Sequence, residues 1–149
     1  MNRLRTGLAL AATFTLAAGV AACSSTGEKN DYVDEVNALQ TQYASDVTDL
    51  GTPTNTKELR EVAKKGAELD AQLAEDIAAI DPPDEVAELH EQLVGVLEES
   101  AAATAEIEEL VSGTNNIQKL TEAATKASET ATKTQNEINE LIDKINEEL

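Results

Sequence analysis

The 149-residue sequence lacks most of the side chains on which catalytic and nucleic-acid-binding sites depend. It has one cysteine, one histidine and no tryptophan, and its aromatic residues are Phe14, Tyr32 and Tyr43. These numbers exclude a disulfide framework, a metal site with two histidines and a base-stacking surface. The chain carries 11 basic and 29 acidic side chains, and its net charge of −18 disfavours nucleic acid as a partner. We therefore expect a non-enzymatic protein without a cofactor.

The first residues have the layout of an export signal. Arg3 and Arg5 precede an uncharged apolar run over residues 7–22. This run is shorter than the roughly 20 apolar residues that a membrane-spanning helix needs. A transmembrane helix and an ordinary secretory signal are the alternatives, but the only cysteine of the chain, Cys23, directly follows the run.

The residues Val20-Ala21-Ala22-Cys23 resemble the lipobox of bacterial lipoproteins, in which small residues precede a cysteine. The resemblance implies that a signal peptidase cleaves between Ala22 and Cys23, and that acyl chains such as palmitate are attached to Cys23. Two buried acyl chains anchor a protein stably, whereas one is marginal. We therefore expect the protein to be lipid-anchored through Cys23 on the extracytoplasmic face of the cell membrane.

The sequence divides into three segments. Residues 1–22 are predicted to be the signal peptide, residues 23–30 the lipidated cysteine with a flexible tether, and residues 31–149 a helical bundle domain. The tether is predicted because residues 24–30 are polar and lack an apolar period.

Apolar residues recur every three or four positions through the third segment, which is typical of amphipathic helices. Glycine and proline residues divide this pattern into four helices. The predicted helices cover residues 31–50, 55–80, 83–111 and 115–149. The predicted fold class is therefore all-α, an antiparallel bundle of four helices with short loops.

The turns between these helices carry recognisable signals. Asn55 precedes Glu58 by three residues, which is a capping-box pattern. Pro82 and its proline neighbour predict a tight helical hairpin, because the residue before a proline avoids the helical region. Asn115 with Gln118 is predicted to open the last helix.

The fourth helix has the most regular pattern of the chain, a heptad seam whose middle consists of small residues. The seam is Ile117, Leu120, Ala124, Ala127, Ala131, Thr134, Ile138, Leu141 and Ile145. We expect its alanine section to face the alanine-rich middle of the third helix, residues 100–104, where small side chains let the two backbones approach closely. Since this helix is also the longest, its end is expected to overhang the bundle or to pair with another chain, as a coiled coil does.

Few residues suggest metal binding or catalysis. A zinc-protease motif at His90 would need a second histidine where Val94 stands, and a di-iron motif would need a glutamate where Ala87 stands. His90 is therefore predicted to be an exposed helical histidine. Asp70 and Glu75 are a carboxylate pair that could do acid–base work, but nothing in the sequence places them in a pocket.

Acidic side chains dominate the third helix, and carboxylates three or four residues apart share one helix face. This face is predicted to be solvated, with loose cation binding or a basic partner as alternatives, because no calcium-binding loop sequence accompanies it. The candidate partner surface consists of Glu85, Glu88, Glu91, Glu98, Ile138, Leu141 and Ile145.

Residues 32–97 resemble small helical lipoproteins of high-GC Gram-positive bacteria. The similar pieces are Tyr-Val-Asp-Glu-Val-Asn from residue 32 and Ile-Asp-Pro-Pro-Asp-Glu-Val-Ala-Glu-Leu-His-Glu-Gln-Leu-Val from residue 80. The resemblance supports anchoring and the hairpin, and it implies no activity.

The sequence leaves two hypotheses for the function. The first is a lipid-anchored interaction or structural module of the cell envelope with a protein partner. The second is an extracytoplasmic module that binds a ligand or cation between its helices near the alanine-rich middle. Neither hypothesis predicts the oligomeric state.

Overall fold

The computed structural model describes residues 26–149, all of which belong to helices or the turns between them. The helices are α1 (Thr26–Asp49), α2 (Thr56–Ala78), α3 (Ala87–Ser112) and α4 (Ile117–Glu148), and a short 3₁₀ turn (Asp84–Val86) precedes α3. No strand occurs in this part of the chain. The predicted all-α class with four helices is confirmed. The predicted signal peptide, its cleavage point and Cys23 lie outside the described residues.

Helix α1 begins earlier than the sequence predicted. It starts at Thr26 rather than at residue 31, so residues 26–30, which were assigned to the flexible tether, are helical. Glu28 in the first turn favours this start, because a negative charge stabilises the positive end of the helix dipole. The Lys29 ammonium also lies 3.0 Å from the Glu85 carboxylate, which joins this first turn to the 3₁₀ turn that precedes α3.

The turns follow the local signals with one shift. Gly51 ends α1 with a φ of 69°, a left-handed conformation that glycine adopts without strain. Asn55 caps α2 as predicted, since its side chain accepts a hydrogen bond of 3.0 Å from the backbone N–H of Glu58. The cap of α4 is Asn116 rather than Asn115, and its side chain accepts from the backbone N–H groups of Gln118 and Lys119.

Consecutive helices are antiparallel, because the turns that join them are short. Helix α2 packs along α3, α3 packs along α4, and α1 approaches the backbone of α2. Among the described residues, no Cα atom of α1 lies within 8 Å of a Cα atom of α4. The seam between α1 and α4 is therefore the wide side of the bundle and is bridged by side chains only.

The apolar interior is divided into two parts. The larger core lies at the end where α1 begins and takes side chains from all four helices. It consists of Tyr32, Val36, Leu73, Ala74, Ile77, Ile80, Val86, Leu93, Leu97, Ile138, Leu141, Ile142 and Ile145. The smaller core lies at the opposite end and consists of Ile107, Val111, Leu120 and Ala123, with Leu59, Ala63 and Ala127 packed against it.

The end of α4 corrects one prediction. Ile138, Leu141 and Ile145 were assigned to a partner surface and to an overhanging helix end, but they are 4%, 7% and 5% exposed and belong to the larger core. Tyr32 and Val36 of α1 contribute to the same core. The longer α1 covers the end of α4, so these three residues offer no surface to a partner.

Candidate functional site: a cavity between the two cores

A cavity of about 360 Å³ separates the larger core from the smaller one. Side chains of all four helices line it, and most of them are apolar or small. Leu73, Leu97 and Ile138 bound the cavity on the side of the larger core, and Ile107, Val111 and Leu120 bound it on the side of the smaller core. Its volume lies within the roughly 300–1,000 Å³ of typical ligand pockets.

The cavity exists because the helices carry small residues at this level. Gly66 of α2 and Ser100 of α3 line it, together with Ala124, Ala127 and Ala131 of α4. A methyl group added at Gly66 would meet no heavy atom within 4 Å, so the space beside α2 is open. From the small-residue stretch of α3, Ser100 and Thr104 face the same cavity as these alanines of α4, whereas Ala102 is exposed.

One carboxylate stands in this apolar lining, and two hydroxyl groups hold it. The Tyr43 hydroxyl donates to Oδ1 of Asp70 at 2.5 Å, and the Thr104 hydroxyl donates to Oδ2 at 2.6 Å. The three residues come from α1, α2 and α3, so this network links three helices at the level of the cavity. No lysine or arginine of the described chain forms an ion pair with Asp70.

Burial governs the ionisation of this network. Loss of solvent raises the pKa of the Asp70 carboxyl, and the hydrogen bonds from Thr104 and Tyr43 lower it in part because they stabilise the ionised form. The pKa of the Tyr43 hydroxyl is raised by burial first, and then by the charge and the hydrogen bond of Asp70. Tyr43 therefore remains a hydrogen-bond donor at neutral pH.

The cavity reaches the surface beside the end of α1. Thr48, Gly51 and Thr52 all line it and are exposed to solvent. On the α4 side, Thr134 and Gln135 are half-buried lining residues next to the wide seam between α1 and α4. At this end the cavity is therefore lined by solvent-exposed residues.

His90 is buried, contrary to the prediction of an exposed histidine. It is 5% exposed, and its Nδ1 lies 3.1 Å from the Tyr32 hydroxyl, with the two rings in an edge-on arrangement. Burial lowers the pKa of the imidazole, while the charge of Glu91 opposes this effect. The position follows from the helix period, because His90 comes four residues after Val86 and three before Leu93, and both are buried.

The acidic residues of the predicted partner surface are exposed. Glu88, Glu91 and Glu98 face solvent along α3, and Glu85 is exposed at the 3₁₀ turn. The pKa of Glu85 is lowered by a hydrogen bond from its own backbone N–H and by the neighbouring Lys29. Within residues 26–149, no group of three or more histidine, cysteine or acidic side chains is arranged to hold a metal ion.

Sequence reasoning considered Asp70 but could not assign it to a pocket. Its suggested partner, Glu75, is exposed and does not reach the cavity. The signal that could have placed Asp70 is its register, four residues after Gly66 and three before Leu73 on the apolar face of α2. Thr104 stands in the same relation to Ser100 and Ile107 on α3.

No helix in residues 26–149 has the length and apolar character to cross a membrane. Comparison with models of known protein families, with curated proteins and with solved structures finds no match for this chain.

Proposed function

We propose that the protein is a non-enzymatic lipoprotein of the cell envelope, anchored through Cys23 on the outer face of the cytoplasmic membrane, whose bundle binds a small apolar molecule. The observation that carries the binding role is the cavity of about 360 Å³ between the two cores. The lipobox resemblance at residues 20–23 supports the anchor.

The position of the cavity supports a binding role over a packing defect. Natural interiors are close-packed, and voids larger than a water molecule are few in any domain. Here small residues on α2, α3 and α4 converge on one level, and the space they leave is open to solvent beside Gly51. An apolar ligand would gain by removing its surface from water and would fill contacts that the lining lacks.

The binding role can be tested with 1-octanol as a probe. The lipidated protein is purified in a maltoside detergent, its alanine methyl groups are labelled with ¹³C, and their resonances are followed during the titration. We expect saturable shifts at Ala127 and Ala131, which line the cavity, and none at Ala102, which is exposed on α3. Partition of octanol into the detergent cannot produce this pattern.

A matched pair of variants tests the location. Ala131→Leu fills part of the cavity and should weaken octanol binding, whereas Ala102→Leu adds the same atoms on the surface and should leave binding unchanged. Unchanged resonances of the cavity alanines at saturating octanol, or equal binding by both variants, would refute the binding role.

The anchor is tested separately. Mass spectrometry of the mature protein should find acyl chains on an N-terminal Cys23, and Cys23→Ala should abolish both the modification and the membrane association. Release of an unacylated chain that begins elsewhere would contradict the lipoprotein assignment.

A second candidate function is that of an interaction or structural module in the cell envelope. The exposure of Glu88, Glu91 and Glu98 along α3 favours it, because such a face is complementary to a basic partner. Crosslinking in intact cells would compare the wild type with a variant in which all three residues are glutamine. A defined partner that is captured only by the wild type supports this role, and identical capture by both proteins contradicts it.

A further inference from the structure

We propose that the cavity selects apolar molecules that carry a protonated amine, and that the ammonium group binds to the carboxylate of Asp70. This inference rests on the proposed binding of an apolar molecule in the cavity. The polar and charged groups of the lining determine which functional group the ligand carries.

The charge of the lining is complementary to a cation. Asp70 is the only charged residue among the described residues that line the cavity, and no lysine, arginine or histidine accompanies it. A carboxylate in an apolar site is costly unless it is paired with a cation and hydrogen-bonded. The hydrogen bonds are present, since Tyr43 and Thr104 supply them, but no lysine or arginine in residues 26–149 forms an ion pair with Asp70.

The carboxylate has capacity for a further donor. An ionised carboxylate offers about four lone-pair sites, and the two hydroxyl groups use one site on each oxygen. These hydroxyls also fix the orientation of the carboxylate, because they approach it from two different helices. An ammonium group brings three donors and a positive charge, and therefore suits the remaining sites.

The lysines near this level of the bundle do not turn inward. Lys64 and Lys65 of α2 and Lys126 of α4 are exposed, and Lys126 is paired with Glu106 at 3.0 Å. The net charge of −18 attracts cations to the surface of the protein. A cationic ligand is therefore drawn to the chain and meets no competing side chain in the cavity.

A bound cation would favour the ionised form of Asp70. Burial raises its pKa because the apolar lining disfavours the charged form, and a bound ammonium group would favour that form again. A bare metal ion fits less well, since Ca²⁺ takes about six to eight oxygen ligands and this lining supplies a single carboxylate.

Three probes with the same alkyl chain test the selectivity: octylamine, 1-octanol and octanoate. Each is titrated into the lipidated protein at pH 7, and the methyl resonances of Ala127 and Ala131 report binding in the cavity. We expect octylamine to bind about tenfold more tightly than 1-octanol, and octanoate to bind most weakly.

Two charge-neutralising variants locate the effect on α2. Asp70→Asn keeps the shape of the side chain and should reduce the preference for octylamine over 1-octanol to less than about threefold. Asp76→Asn removes the same charge from α2 at a position outside the cavity lining and should keep the full preference. The alanine spectrum without probe confirms that each variant is folded.

The outcomes separate this inference from the proposed function. Equal binding of octylamine and 1-octanol by the wild type, tighter binding of octanoate, or an undiminished preference in Asp70→Asn would overturn the inference while the apolar binding role stands. If none of the three probes shifts the cavity alanines, the binding role itself fails.

Discussion

Adding one methyl group at Gly66 tests whether the cavity is open space. Gly66 lies inside α2 and lines the cavity, and a methyl group there would meet no heavy atom within 4 Å. Alanine is more favourable than glycine in a helix interior by about 0.8–1.0 kcal/mol. Gly66→Ala should therefore raise the free energy of unfolding by about 1 kcal/mol, which corresponds to an increase in Tm of about 3–6 °C.

Two other glycines serve as controls. Gly95 of α3 also has no atom within 4 Å of an added methyl group but does not line the cavity, so Gly95→Ala should give a similar gain. Gly51 has a φ of 69°, and an alanine in this left-handed conformation costs roughly 1–2 kcal/mol. Gly51→Ala should therefore lower the free energy of unfolding.

The assay is urea unfolding of the purified protein followed by far-UV circular dichroism. A common dependence of the free energy of unfolding on urea concentration is used for the variants only where the fitted slopes agree. The reasoning is refuted if Gly66→Ala destabilises the protein while Gly95→Ala stabilises it. That result would mean that the lining closes on Gly66 and that no cavity of this size exists. A gain for Gly51→Ala would refute the structure of the turn alone.

Three further predictions concern the cores, the helix ends and the buried histidine. Leu93→Ala should lower the free energy of unfolding in urea by roughly 2–5 kcal/mol, because Leu93 is 1% exposed. Leu110 is 52% exposed, so Leu110→Ala should change this free energy by less than about 0.5 kcal/mol. Similar losses for both variants would contradict the position of Leu93 in the larger core. Asn55→Ala should lower the free energy of unfolding by about 1 kcal/mol through loss of the cap, and an unchanged value would mean that the cap is dispensable. Burial lowers the pKa of His90, so the unfolded chain binds a proton first as the pH falls below about 6.5. The free energy of unfolding of the wild type relative to His90→Gln should therefore fall between about pH 7 and pH 5. A constant difference across this range would show that His90 titrates alike in the folded and unfolded states.

The helices and turns could be predicted because their causes are local. The prolines after α2 and the cap at Asn55 act within a few residues of their position, and the structure has both features. The start of α1 could not be predicted in this way. Its first turn is polar, and the contact that joins this turn to the rest of the bundle is with a residue far along the chain, since Lys29 pairs with Glu85.

Contacts between distant parts of the chain also explain the wrong assignment at the end of α4. Ile138, Leu141 and Ile145 form an apolar seam, and the sequence does not say whether a seam is covered by the same chain or by another one. The prediction of an overhang or a partner rests on the unequal lengths of the predicted α1 and α4. Tyr32 and Val36 of α1 lie in the core that includes all three residues, so the same chain covers the seam.

The cavity marks the limit of what the small residues could predict. Alanines on facing helices were expected to allow the backbones to approach, but the separation of two helices depends on the side chains where they are in contact. Here large side chains fill the cores at two levels, with Leu93 and Ile138 on one side of the cavity and Ile107 and Leu120 on the other. The small residues between these levels therefore leave space that the helices cannot close. A close approach would require the small residues to lie where two helices cross, without large side chains on both sides. In this bundle large side chains flank the small residues, so the alanine-rich middle lines a cavity around Asp70 instead.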